Sequence, residues 1–416
     1  MIFNIKKKAV QLFDILLKGE GQATIKDETK RKKIEFILML RKFFYNVGIS
    51  RKDNIALVSN VLSMLSDPAD KRVYERRLLE EIINHLKKIF QENPSWMQSL
   101  STQFIDTMIA VLDNHDREKE LNLANSTKSK IYNYLTAMGR NNPTRFSNDH
   151  LNRIVINLNA WLLQVKDLSV EECNFLASNY HDDELDLANP KTNKDDDENE
   201  LIVFPANLRL DILLQIFGHR MSQYVLFHSQ NLAQSKLWKE RHAAMVCLAT
   251  YWQFKDRDFT KNLSIILRLS LKLVNDENIR VRWASLATLN RISFQYTTHD
   301  LVVKSRKEIF QVIDKSIRDP NERIQSSCCL LIYAEMRELP NHKIDGNLFN
   351  RVCDWLEKLL LSPKMHLVEN ALFALVSIAD KERFKPYNGK IIANLLSLLE
   401  RHQSTRESRL YVFEQS

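Results

Sequence analysis

One segment recurs four times in the last 180 residues, and that recurrence limits the folds open to this chain more than any other feature. Leu271 to Arg282 returns as Ile317 to Gln325 and again, more altered, as Leu361 to Glu369, while an earlier copy runs from Leu237 to Ala244. The branched anchors Val281, Ile324 and Val368 stand 43 and 44 residues apart, and Glu240 lies 41 residues before the first of them. Each copy reads as an apolar helix, a short turn and a second apolar helix. A unit of that kind cannot bury its apolar faces alone, so its neighbours must stack on it.

The period and the helix–turn–helix pattern are those of HEAT-type repeats. The expected fold is therefore all-α, a right-handed α-solenoid of stacked antiparallel helix pairs. Composition agrees: 44% of the residues are hydrophobic, while 7 Gly and 9 Pro leave few positions for hairpin turns. Within one repeat, Asn262 to Val274 is the first helix. Val281, Ala284, Ser285, Thr288, Leu289 and Ile292 form a single stripe of the second. Asp276 lies in the turn, placed to cap the second helix and to meet Arg282 or bridge neighbouring turns. The helices starting near Lys239, Ile279, Glu322 and His366 are expected to line the concave side.

The N-terminal half repeats this spacing with weaker punctuation, at Ile55 to Leu65, Val73 to Phe90, Phe104 to Leu112, Thr127 to Met138 and Leu151 to Val165. The expected organisation is HEAT-like repeats over 1–180, an acidic flexible loop over 181–200, and further repeats over 201–416 that end inside an incomplete unit. The acidic stretch has too little apolar surface to offset its ordering entropy. It reads equally as a solvated linker or as a contact for a basic partner.

Five cysteines without a C-x-x-C pair, four of them inside apolar helical stretches, argue for reduced buried thiols and a reducing compartment. No apolar run is long enough to cross a membrane, so a soluble intracellular protein is expected. The net charge of +8 is concentrated early, at Lys6 to Lys8 and Lys30 to Lys33, without the interleaved aromatics that single-strand binding requires. Nucleic acid is set aside as a partner. No phosphate-binding glycine loop, zinc-protease helix or nucleophile elbow occurs. No catalytic residue, metal ligand or cofactor site is expected.

From Leu210 to Leu399 the pattern is more specific than a generic repeat. Leu237-Trp238 with Arg241-His242, Asp276 followed by Val281-Arg282-Trp283-Ala284, and Arg323-Ile324-Gln325 occur in that order. Leu367 to Asp380 and Arg383 to Tyr387 follow them. This order resembles the central repeats of importin-β superfamily karyopherins, in the branch that imports ribosomal proteins and histones. The resemblance implies a non-catalytic nucleocytoplasmic binding protein in cytoplasm or nucleus. Its protein cargo would lie on the concave face, with nucleoporins and the GTPase Ran as further partners. The repeats that grip Ran in the family have no counterpart here, so the alternative is a HEAT scaffold or adaptor without Ran-dependent transport, including a parasite or bacterial mimic of a host importin. The residues assigned to a protein-binding face are Asp211, Trp238, Arg241, Gln253, Arg282, Gln295, Gln325, Glu369 and Asn370. At two positions where the resembling branch carries a lysine-receiving acid, this chain has the amides Gln253 and Gln295, and only Asp211 keeps its carboxylate.

Overall fold

The computed structural model of the chain describes residues 94–116, 125–165, 203–251, 257–337 and 345–403, with Leu123, Leu339 and a few core positions between 58 and 86. Gln253, Cys173, the acidic stretch 181–200, both early basic clusters and the last thirteen residues lie outside the described residues. Every regular element among the described residues is helical: 13 α-helices and two short 3-10 turns, with no strand among them. The all-α repeat architecture read from the period is the one observed. Compactness divides the chain into two units, Met1–Trp161 with Gln215–Met221, and Leu162–Leu214 with Ser222–Ser416.

In the first unit, α1 (Pro94–Asp116), α2 (Asn125–Asn141) and α3 (Asn148–Leu162) hold the core. Val58, Leu62 and Leu65, spaced as one helical face, are buried, as are Ile83 and Leu86. Polar side chains repeat the long period as bonds between alternate helices. His150 Nε2 lies 2.6 Å from Asp106, and Asn157 donates to Asp113 at 2.7 Å, each pair 44 residues apart. Gln103 donates to the Ser59 carbonyl at 2.8 Å, also 44 residues away. The Trp161 ring stacks on Tyr132 at 5.6 Å, and its Nε1 donates to Asn125. Gly139 is required by close approach, since a Cβ there would fall 2.7 Å from the Phe217 ring.

In the second unit, helices alternate between two layers. The first-helix layer contains α5 (His219–Leu232), α7 (Arg257–Leu273), α9 (Asp300–Ser316), α11 (Gly346–Leu360) and α13 (Asn388–Gln403). The second-helix layer contains α6 (Trp238–Tyr251), α8 (Ile279–Tyr296), α10 (Glu322–Met336) and α12 (Met365–Val376), and α4 (Val203–Phe217) precedes them. Neighbours approach far more closely in the second layer than in the first. The reason is in the sequence. Ala243, Ala244 and Ala249 of α6, Ala284 and Ser285 of α8, Ser326 and Ser327 of α10, and Ala371 and Ala374 of α12 are all buried at the contacts. Small side chains let helix axes draw together, and the hydroxyls of Ser285 and Thr288 return to their own helix carbonyls, so the polar atoms cost little. The apolar residues of α7 and α11 collect on one face, as in a layer covered from one side.

Val281, Leu289 and Ile292 of the repeat stripe are fully buried. Four cysteines, Cys247, Cys328, Cys329 and Cys353, are free and buried. Burial pushes the Cys247 and Cys353 thiols up to about 12. One acid is also in the interior. Glu335 of α10 has no exposed surface and accepts from Arg306 Nε of α9 at 3.1 Å, while Arg306 also donates to the Thr297 carbonyl at 2.8 Å. Desolvation raises the Glu335 pKa, and the hydrogen bond and charge of Arg306 oppose it without cancelling it.

A carboxyl with a folded-state pKa above its unfolded value ionises first in the unfolded chain. This group therefore costs no stability at low pH and weakens the fold as pH rises past the ordinary glutamate range. Glu335→Gln is expected to flatten that decline. Denaturant titrations of the two proteins from pH 4 to neutrality measure the difference, and parallel curves contradict it.

Candidate protein-binding surface

The turns between first and second helices are built alike. Asp276 Oδ1 accepts from the Asn278 N–H at 2.9 Å, and Asp319 Oδ1 accepts from the Asn321 N–H at 2.9 Å. Ser235 and Ser362 do the same for Leu237 and Lys364 at 3.0 and 3.1 Å. The N-cap itself is the residue two further on: Asn278 accepts from Arg280 N–H, and Asn321 from Arg323 and Ile324. The expectation that Asp276 caps α8 is thus corrected. Its carboxylate shapes the turn and is then free for a second task, because an Asx-type bond uses only one of its oxygen lone pairs.

That task is to receive an arginine from the preceding repeat. Arg241 of α6 donates Nε and Nη2 to Asp276 at 2.6 and 2.9 Å, and Nη1 to the carbonyls of Ser235 and Lys236 in its own turn. Its side chain is 10% exposed and that of Asp276 6%. The Asp276 hydrogen bond, with the charges of Asp276 and Glu277, raises the arginine pKa against the effect of burial. One repeat later Arg282 repeats the arrangement. It donates to the Asp276 and Glu277 carbonyls at 3.2 and 3.0 Å and reaches Asp319 at 3.3 Å. The expectation that Asp276 and Arg282 bridge neighbouring turns holds, through backbone on one side and the next aspartate on the other.

The third rung is absent. Gln325 stands where Arg241 and Arg282 stood, and Ser362 where the aspartates stood. Gln325 keeps the bond to its own turn, donating to the Asp319 carbonyl at 2.9 Å. The two repeats are instead tied by Lys364 to Glu322 and by Asn370 Nδ2 to Ser326 Oγ at 2.5 Å.

These bonds decide what the sequence-assigned residues can do. Arg241, Arg282, Gln325 and Asn370 are engaged in tying turns or successive second helices, with their polar groups turned to the protein. Asp211 on α4 is only 9% exposed. Trp238 opens α6 half-exposed, its ring edge-on to His242 at 6.2 Å with Lys239 Nζ 5.6 Å above it. Gln295 and Glu369 are part-exposed, on α8 and α12. Of the eight assigned positions that are described, four are thus engaged within the stack and Asp211 is buried.

A set that the motifs did not single out converges. Phe294 of α8, Tyr333 of α10 and Phe373 of α12 form a line across three consecutive second helices. Ring centroids are 6.2 Å apart and nearly parallel for the first pair, and 6.5 Å apart and edge-on for the second. Arg337 lies against the first two rings, with its guanidinium carbon 5.3 and 5.5 Å from their centroids. Phe294 and Phe373 are 51% and 47% exposed. The only signal in the sequence was an aromatic spacing of 39 and 40 residues, just short of the repeat. Relative to the anchors Val281, Ile324 and Val368 the rings lie 13, 9 and 5 residues on, one helical turn earlier each time.

No family model matches the chain. It is 23% identical over 336 residues to Importin subunit beta-3 of Saccharomyces cerevisiae, an alignment covering 77% of this chain and 28% of that one. The structure of Kap121p bound to Pho4p superposes with a TM-score of 0.67 at 18% identity, covering 93% of this chain and 36% of that one. Kap121p bound to RanGTP gives 0.64 at 17%. The fold is that of an importin-β-type karyopherin. The chain spans 28% of the relative's length and 36% of Kap121p. Among the described residues no helix is long and apolar enough to cross a membrane.

In this karyopherin-like stack the two arginine rungs should outweigh the substitute at the third junction. Asp276→Ala leaves the buried Arg241 with only its longer contact to the exposed Glu277, a loss of up to about 3–5 kcal/mol. Lys364→Ala removes a partly exposed pair and should cost less than about 1 kcal/mol. Chemical denaturation of the two variants reads both numbers, and equal losses would contradict the ranking.

Proposed function

We propose that this chain is a non-catalytic, karyopherin-like binding protein that holds a protein partner along the outward stripe of α8, α10 and α12. The observation that carries this reading is the unequal spacing of the two layers. Helices packed closer on one side bend a stack toward that side, so the second-helix layer is the inner surface, the place where a repeat array offers a continuous face to a macromolecule. The order of the karyopherin-like motifs along the same helices supports it. So do the Kap121p structures with Pho4p, Ste12p and Nup53p, in which a protein of this fold is bound to other proteins. By the same likeness the partners are protein cargo, nucleoporins and Ran, and the working compartments are cytoplasm and nucleus.

The cargo chemistry departs from lysine recognition. Asp211, the one retained acid of the three compared positions, is too buried to meet an ammonium group without desolvating it, and the other two positions are amides, which carry no charge. A partner on this layer is therefore held by other contacts.

Capture of protein partners by the purified chain, followed by hydrogen exchange, tests the reading. Slowed exchange is expected in α8, α10 and α12, with no comparable change in α7, α9 and α11. Protection confined to the first-helix layer would place the binding face on the wrong side. Addition of Ran loaded with GTP should release the partner from a transport receptor, whereas a scaffold would retain it. A lysine-rich signal peptide should bind more weakly than micromolar. Micromolar binding lost in Asp211→Asn would overturn the assignment of the amides.

A further inference from the structure

Neither repeat packing nor the inter-repeat rungs require the line of rings on α8, α10 and α12. Phe294, Phe373 and the neighbouring Val376, which is 69% exposed, leave apolar area in water that a partner would remove. The outward stripe around them carries Arg280 and Arg291 on α8 and Arg323 and Arg337 on α10, against two carboxylates, Glu369 on α12 and Glu322 on α10, the second already paired with Lys364. Two of these guanidinium groups are held in place. The Arg323 guanidinium carbon lies 3.7 Å from the Trp283 ring centroid, and Arg291 donates to the Ala249 carbonyl at 2.5 Å.

We propose that this cationic–aromatic line receives an extended partner segment that alternates acidic and apolar side chains, an inference that rests on the protein-binding reading above. Spacing and charge both point there. In an extended strand, side chains on one face recur about every 6.6 Å, close to the ring separations of 6.2 and 6.5 Å. Alternate apolar side chains can thus lie along Phe294, Tyr333 and Phe373 in turn. The position over the rings that a lysine would seek is already taken by the Arg337 guanidinium, so a basic segment meets like charge where it needs an open aromatic face. A carboxylate meets an arginine fork instead.

Three fluorescent peptides with leucine at alternate positions, and aspartate, lysine or serine between them, test this on the full chain. The aspartate peptide should bind at least about tenfold more tightly than the lysine peptide. Arg337→Glu should reverse that order, and Phe373→Ala should weaken the aspartate peptide while leaving its preference over lysine intact. Both side chains are exposed, and thermal melting verifies that the variants fold. Equal or tighter binding of the lysine peptide, no binding of the aspartate peptide, or a preference unmoved by Arg337→Glu overturns the inference. A captured protein that protects α8, α10 and α12 while the aspartate peptide is ignored overturns it and leaves the protein-binding reading standing. No protein partner on that layer removes both.

Discussion

The arginine of one repeat seated in the turn of the next is the contact on which the regular part of the stack depends. Arg241 and Arg282 each do three things with one guanidinium: they close their own turn through its carbonyls, they satisfy the aspartate of the following turn, and they fix the distance between repeats. Apolar burial supplies most of the stabilisation of such an array, but it is tolerant of small slides along the helix axis. A planar donor with several fixed N–H directions is not tolerant, and so it sets the register. Within that register the small buried side chains of α6, α8 and α10 let the helices approach closely.

Where the rung is missing, the repeat survives by other means. The junction of α10 with α12 has Gln325 and Ser362 in place of arginine and aspartate, a paired loss that leaves no unmatched charge behind. Its ties are a lysine–glutamate pair nearer to solvent and an amide–hydroxyl bond between helices. The same junction carries the Tyr333–Phe373 ring contact on its outer face.

The periodic order of the chain and its binding chemistry are separate properties. Residues that recur at 43 or 44 residues serve the stack, since they meet their equivalents in the next repeat. Residues that fall out of that register can meet across helices only at particular places, and the rings at 294, 333 and 373 do so because each is one turn earlier in its helix than the last. A surface assembled that way belongs to this chain and not to the repeat in general. This is why the karyopherin-like motifs, which follow the repeat, lead to Arg241, Arg282 and Gln325 and away from Arg337.

Helicity, the repeat length, the turn positions and the buried stripe from Val281 to Ile292 were determined by the sequence alone, because they rest on local spacing and on apolar side chains that must leave water whatever their neighbours are. The fate of the polar residues was not. Whether Arg241 faces a partner or an aspartate 35 residues ahead, whether Asp211 is exposed or shut away, and whether Asp276 caps its helix or supports the turn depend on what the next repeat brings to within 3 Å. A hydrogen bond needs a partner at a fixed distance and direction, and for these side chains the partner is supplied by packing between repeats. Only the tertiary structure could separate the charged groups consumed by the stack from those left facing outward.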